Sequence, residues 1–174
     1  MSFSLSRRHA VLALALTAAG SFTRHASAGS LPVPAGKVIL SISGKIDTAN
    51  AEGNANFDRE MLERLGMQEV VTTTPWHNGQ VKFEGVPLDR LMKAVGANGD
   101  HVTALALNDY STDIPIDDFA KFGTILALKR DGDYMPVKDK GPLFIVYPYD
   151  SKPELKAQMY YSRSAWQVNR IVVK

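Results

Sequence analysis

The 174-residue sequence contains no cysteine. That absence removes disulfides, thiolate metal ligands, iron–sulfur clusters and a cysteine nucleophile together. Histidine is nearly as scarce: of four, His9 and His25 fall in the first 28 residues, which leaves His77 and His101. Two imidazoles without a thiolate make a typical zinc site only with the help of several carboxylates. No G-x-S-x-G elbow marks a serine nucleophile, and no internal repeat is visible. The largely apolar run Ala10–Ala19 is too short to cross a bilayer.

What is present at the start reads as an export signal. Arg7-Arg8 precede the apolar run, and Ala26-Ser27-Ala28 is an A-x-A cleavage site, so residues 1–28 are expected to be removed before Gly29. Ser6-Arg7-Arg8 is also similar to a twin-arginine signal, although His9 to Leu12 lack the usual phenylalanine and lysine; both export routes stay open. Either one leads to the periplasm or the exterior. Residues 1–28 hold Arg7, Arg8 and Arg24 and no acid, so taking three from the 20 basic residues leaves 17 against 18 acidic ones. A nucleic-acid surface needs a surplus of Lys and Arg, and none remains. No membrane insertion of the mature chain is expected either.

Residues 29–36 are punctuated by Pro and Gly and read as a flexible lead-in. Residues 37–174 read as one sheet-rich α+β domain. The pattern predicts strands over Val38–Ile46, Glu69–Thr74, Val81–Phe83, Val102–Leu107, Ile125–Lys129, Tyr134–Val137, Leu143–Tyr147 and Trp166–Val173. It predicts helices over Arg59–Leu65 with Asn56 or Asp58 as cap, over Leu88–Val95, over Asp117–Phe122 and over Pro153–Met159. Leu88, Leu91, Met92 and Val95 fall at i, i+3, i+4 and i+7, a buried stripe. Asn78-Gly79 and Asp131-Gly132 are expected as hairpin turns, and Asp47–Asn56 as a polar turn region.

The densest candidate region begins at Val70-Val71-Thr72-Thr73-Thr74-Pro75-Trp76-His77, a β-branched run that stops at a proline and reads as a buried strand presenting a loop. With Phe83-Glu84-Gly85-Val86-Pro87-Leu88 and Leu91 it resembles the oxidoreductase molybdopterin-binding domain, the fold of sulfite oxidase. Tyr110, Ile114-Pro115, Asp117, Gly141-Pro142-Leu143, Val146, Pro148 and Arg163-Ser164 continue that order, so the resemblance spans about residues 65 to 173. It implies a sulfite-oxidase-type fold with mixed sheets and short helices. It also implies molybdopterin as cofactor, held through a cysteine to molybdenum, and an arginine near that cofactor at Arg163. Here the cysteine position aligns with Thr72, give or take a residue. An arginine usual after G-P-L is Phe144, and a lysine usual after R-S-x is Trp166.

Those departures shape the functional expectation. A threonine hydroxyl near neutral pH is neither ionised nor soft enough to replace a thiolate. The pocket candidates are therefore read for ligand binding: Thr72 and Thr73 through their hydroxyls, Trp76 and Trp166 as an aromatic wall for a planar ligand, and His77 beside the ancestral metal loop. Asn108, Asp109 and Tyr110 stand where an apolar strand ends, and Tyr147 and Arg163 add aromatic and cationic groups. No catalytic residue or metal ligand is assigned. The leading expectation is a non-catalytic, exported module that binds a small molecule or an exported partner protein. Two alternatives stand beside it: a molybdopterin-dependent oxidoreductase with an oxygen ligand to molybdenum, and an accessory subunit of an exported redox or sensor system.

Overall fold

The computed structural model describes residues 31–174, so the expected export signal at 1–28 and the first two residues of the expected lead-in lie outside the described residues. The chain enters β1 (Leu40–Gly44), where Leu40 and Ile42 alternate inward. At the end of the expected lead-in the amides of Ala35 and Gly36 donate to Asp58 Oδ2 at 2.9 and 2.8 Å. The same carboxylate caps α1 (Arg59–Arg64) by accepting from the Met61 amide at 2.9 Å. Between these elements lies a short strand that the polar composition hid, β2 (Ala55–Phe57). Asn50 holds it, donating from Nδ2 to the Asn56 carbonyl and accepting the Asn56 amide at Oδ1, both at 2.8 Å.

Strands β3 (Gln68–Thr74) and β4 (His77–Pro87) form a hairpin. Two expectations change here. The turn is Pro75-Trp76 and not Asn78-Gly79. Pairing jumps from Thr73↔Gln80 to Thr74↔His77, so Asn78 and Gly79 form an exposed bulge in β4, with Gly79 at φ +73°. Proline at the first turn position already holds the required φ, which moves the turn forward. In addition β3 is an edge strand and not a buried one: Val70, Thr72 and Thr74 face inward while Gln68, Glu69 and Val71 are exposed.

Helix α2 (Leu88–Ala94) buries Leu88, Leu91 and Met92 as their spacing predicts. The F-x-G-x-x-L segment before it has a steric reason for its glycine. A Cβ on Gly85 would stand 2.2 Å from the Leu126 carbonyl oxygen in the neighbouring strand. Next come β5 (His101–Ala106), an unanticipated β6 (Ser111–Pro115), α3 (Asp117–Phe122), β7 (Ile125–Arg130), β8 (Asp133–Tyr134) and β9 (Phe144–Val146). Asp131-Gly132 is the β7–β8 turn, and both residues have positive φ, as a type I′ turn requires. The helix expected over Pro153–Met159 is a 3-10 turn at Pro153–Lys156. The chain is extended at Ala157 and only then enters α4 (Gln158–Arg163). Strand β10 (Val168–Val173) ends the domain.

Two mixed or antiparallel sheets result, the sheet-rich α+β arrangement expected. One runs β2-β1-β10-β5-β6 with β1 and β10 parallel. The other runs β3-β4-β7, and β8 and β9 both pair with β7. The main core lies on one face of the second sheet, where Leu126, Leu128 and Ile145 point. The opposite face carries a smaller core of Phe83, Ile125, Ala127, Phe144 and Val146, rimmed by Trp76 and Trp166. Burial on both faces explains the unbroken apolar runs of β7 and β9.

Candidate functional site

At the rim of that smaller core the β3–β4 turn, the β5–β6 turn, α4 and the segment from Ser164 to Trp166 enclose a cleft of about 460 Å³. Its aromatic lining is Trp76, Tyr110, Tyr161 and Trp166, and its polar lining is Asn108, Gln158, Ser162 and Ser164; no charged side chain contributes. Trp76 is the hub. Its ring meets those of Phe144, Tyr149, Tyr161 and Trp166 at centroid distances of 5.6, 6.4, 6.1 and 5.4 Å, all edge-to-face. Such geometry follows from the ring quadrupole and holds the indole without covering it. Lys140 stands over the Trp166 ring at 5.0 Å. Neither indole N–H bonds to a described residue, and both tryptophans are half-buried.

Asn108 and Tyr110 reach the cleft from the β5–β6 turn. Asn108 Oδ1 accepts the Tyr110 amide at 3.2 Å, and Tyr110 Oη donates to the Ser162 carbonyl at 2.7 Å, strapping the turn to α4. Asp109, between them, takes φ +63° and points to solvent, outside the cleft lining.

The threonines are placed otherwise. Thr72 is fully buried, with its Oγ1 accepting the Asp150 amide at 3.1 Å and donating to the Thr73 carbonyl at 3.2 Å. Thr73 gives both its amide and its hydroxyl to the Asp150 carboxylate, each at 2.7 Å. Lys156 lies 2.8 Å from the same carboxylate, and Lys156 with the Thr73 bonds holds it well below the usual carboxylate range. Both threonines therefore clamp the loop at Asp150 and line no part of the cleft.

His77 sits behind the turn. Arg130 Nη1, which can only donate, approaches Nε2 at 3.2 Å, so Nδ1 carries the proton and donates to Thr74 Oγ1 at 2.8 Å. Thr74 Oγ1 also accepts the Trp76 amide at 3.3 Å. Burial, then Arg130 and Lys140, push the imidazole pKa down from 6.5. Arg130 itself is fixed by Asp139 through bonds of 2.7 and 3.1 Å.

Tyr147 and Arg163 also stand apart from the cleft. Both donate to Asp118 Oδ2 at 2.8 Å, within a group where Tyr147 is fully buried and Arg163 is 19% exposed. Burial, reinforced by Asp118, pushes the Tyr147 hydroxyl far up. Four of the ten candidates thus converge on one cleft: Trp76, Asn108, Tyr110 and Trp166. Gln158, Tyr161 and Ser162 join them at i, i+3 and i+4 on α4, a spacing that a helix expected over Pro153–Met159 hides for Gln158 and Ser162.

The residues present do not fit the cofactor that the resemblance implies. The position aligned with the thiolate is a hydroxyl whose partners are Asp150 and Thr73, and a pterin phosphate in the cleft would meet no cation in the lining. Phe144 is sealed in the smaller core. No cluster of three or more His, Cys, Asp or Glu suited to a metal exists among the described residues.

A comparison with curated proteins finds no significant match. The family model for the oxidoreductase molybdopterin binding domain matches residues 50–150, a span that takes in the Trp76 and Tyr110 walls of the cleft and stops short of α4, Arg163 and Trp166. With more than half of its length matched, from β2 through Asp150, the chain belongs to the oxidoreductase molybdopterin binding domain family.

Proposed function

We propose that this chain is an exported, non-catalytic member of its family that binds a small molecule in the aromatic cleft. The observation that carries the reading is the contrast at the β3–β4 turn. The Thr72 hydroxyl, which the resemblance aligns with the family's metal-binding cysteine, is bonded inside the protein, while the two indoles beyond it line the cleft and their N–H groups meet no partner among the described residues. A volume of about 460 Å³ with an aromatic lining and a few polar groups matches the character of small-molecule sites. Such a site needs neither a reactive group nor a metal in order to work.

Metal analysis tests the non-catalytic part. Protein purified from a molybdenum-replete, twin-arginine-competent host is expected to carry no stoichiometric molybdenum and no pterin absorbance; finding both would end the reading. Export is checked by fractionation and N-terminal sequencing, with a mature chain beginning at Gly29 as the expected result and retention in the cytoplasm with an intact start as the contrary one.

A further inference from the structure

We infer that the cleft selects an uncharged planar ring bearing hydrogen-bond acceptors on its edge, and rejects the phosphorylated form of the same ring. This rests on reading the cleft as a ligand site and names the class of ligand.

Shape gives the first reason. Trp76 and Trp166 cross at 77° with centroids 5.4 Å apart, so they stand as two walls of a corner; Tyr161 meets Trp76 at 76° from another side. A flat guest in such a corner lies against one indole and presents its rim to the next, the offset-face and edge contacts that aromatic quadrupoles favour. A flexible aliphatic chain would fill the same volume without those contacts and would lose more rotamer entropy on binding.

Charge gives the second. The lining holds no Lys, Arg, Asp or Glu. Lys140, over the Trp166 ring, lies outside that lining, so an anionic group drawn into the cleft would give up water without a lining cation to bond, a loss that a neutral ring avoids.

The free polar atoms give the third. Asn108 Oδ1 accepts the Tyr110 amide while its Nδ2 makes no bond to a described residue, and neither does either indole N–H. Three donor groups without a partner among the described residues match ring carbonyls or ring nitrogens on the guest's edge.

The chain has two tryptophans and both line the cleft, so intrinsic fluorescence reports its occupancy directly. Riboflavin and flavin mononucleotide share one ring system and differ by a phosphate; adenosine and adenosine monophosphate repeat the test on a smaller ring. Titration of the mature chain, with equilibrium dialysis as a second readout, should show saturable binding of riboflavin or adenosine. Each phosphorylated partner should bind at least about tenfold more weakly. Gln158, exposed on the rim, offers a gain-of-function control: Gln158→Arg should narrow that gap by strengthening phosphate binding. Trp166→Phe should weaken the neutral probe while the protein stays folded by circular dichroism.

Equal or tighter binding of the phosphorylated partners, a preference for maltose over both rings, or no saturable binding of any of these probes would overturn the inference. All three outcomes, in molybdenum-free protein, leave the non-catalytic reading intact. Molybdenum with a pterin chromophore removes that reading instead, so the two failures are distinguishable.

Discussion

Thr72 and Trp76 belong to one hairpin and lie four residues apart, yet they do different work. Thr72 is fully buried and its hydroxyl is satisfied by Asp150 and Thr73; Trp76 is half-buried and its indole N–H has no partner among the described residues. The same division separates Tyr147 and Arg163, both bonded to Asp118, from Asn108 and Tyr110 on the cleft wall. A polar group satisfied within the fold stabilises it. A polar group left open in a cavity is available to something else. Thr72, the residue that the resemblance aligns with the family's cysteine, is of the first kind, while the aromatic wall beside it is of the second.

Breaking the satisfied side should have the largest effect. Asp118→Ala leaves the largely buried Arg163 guanidinium without its carboxylate and Tyr147 without an acceptor, and should cost about 3 kcal/mol, the lower end for a broken buried pair because Arg163 keeps some solvent contact. Urea denaturation reads this, and a loss below about 1 kcal/mol would mean that the network is not structural. Next, Asp150→Ala removes both acceptors of the Thr73 clamp and should cost about 1–2 kcal/mol. Ligand affinity should survive it. If probe binding fell while stability did not, the threonine end would belong to the site after all.

The open side should be softer. Trp166→Phe keeps a ring over the smaller core and should cost less than about 1.5 kcal/mol. A loss of several kcal/mol would make Trp166 a core residue and dissolve the comparison.

The smallest effect concerns pH. Folding depresses the His77 pKa below 6.5, so the unfolded chain takes up a proton that the folded chain refuses. Stability contributed by neutral His77 is therefore complete above pH 6.5 and declines as the pH falls below it. Melting temperature against pH should show that decline in the wild type and a flatter curve in His77→Gln. Identical curves would mean that the Arg130–His77–Thr74 contact carries no weight.

Much of this architecture was legible without coordinates of any kind. The 3.6-residue stripe of α2, the Asp131-Gly132 turn and the cap of α1, supplied by Asp58 of the two candidates, arise from interactions within a few residues and formed where their residues place them. The family, too, was legible, since its motifs are local strings in a fixed order. Tertiary structure decided the rest. It left Asn78-Gly79 as a bulge inside β4 once Pro75-Trp76 had taken the turn, a pairing visible only in the folded hairpin. It built β2 and β6 from polar segments whose neighbours complete their ladders. Above all it chose the partners: Asp150 meets Thr73 across 77 residues and Asp118 meets Arg163 across 45. A side chain's type says which bonds it is able to make, and only the fold says whether something has already made them.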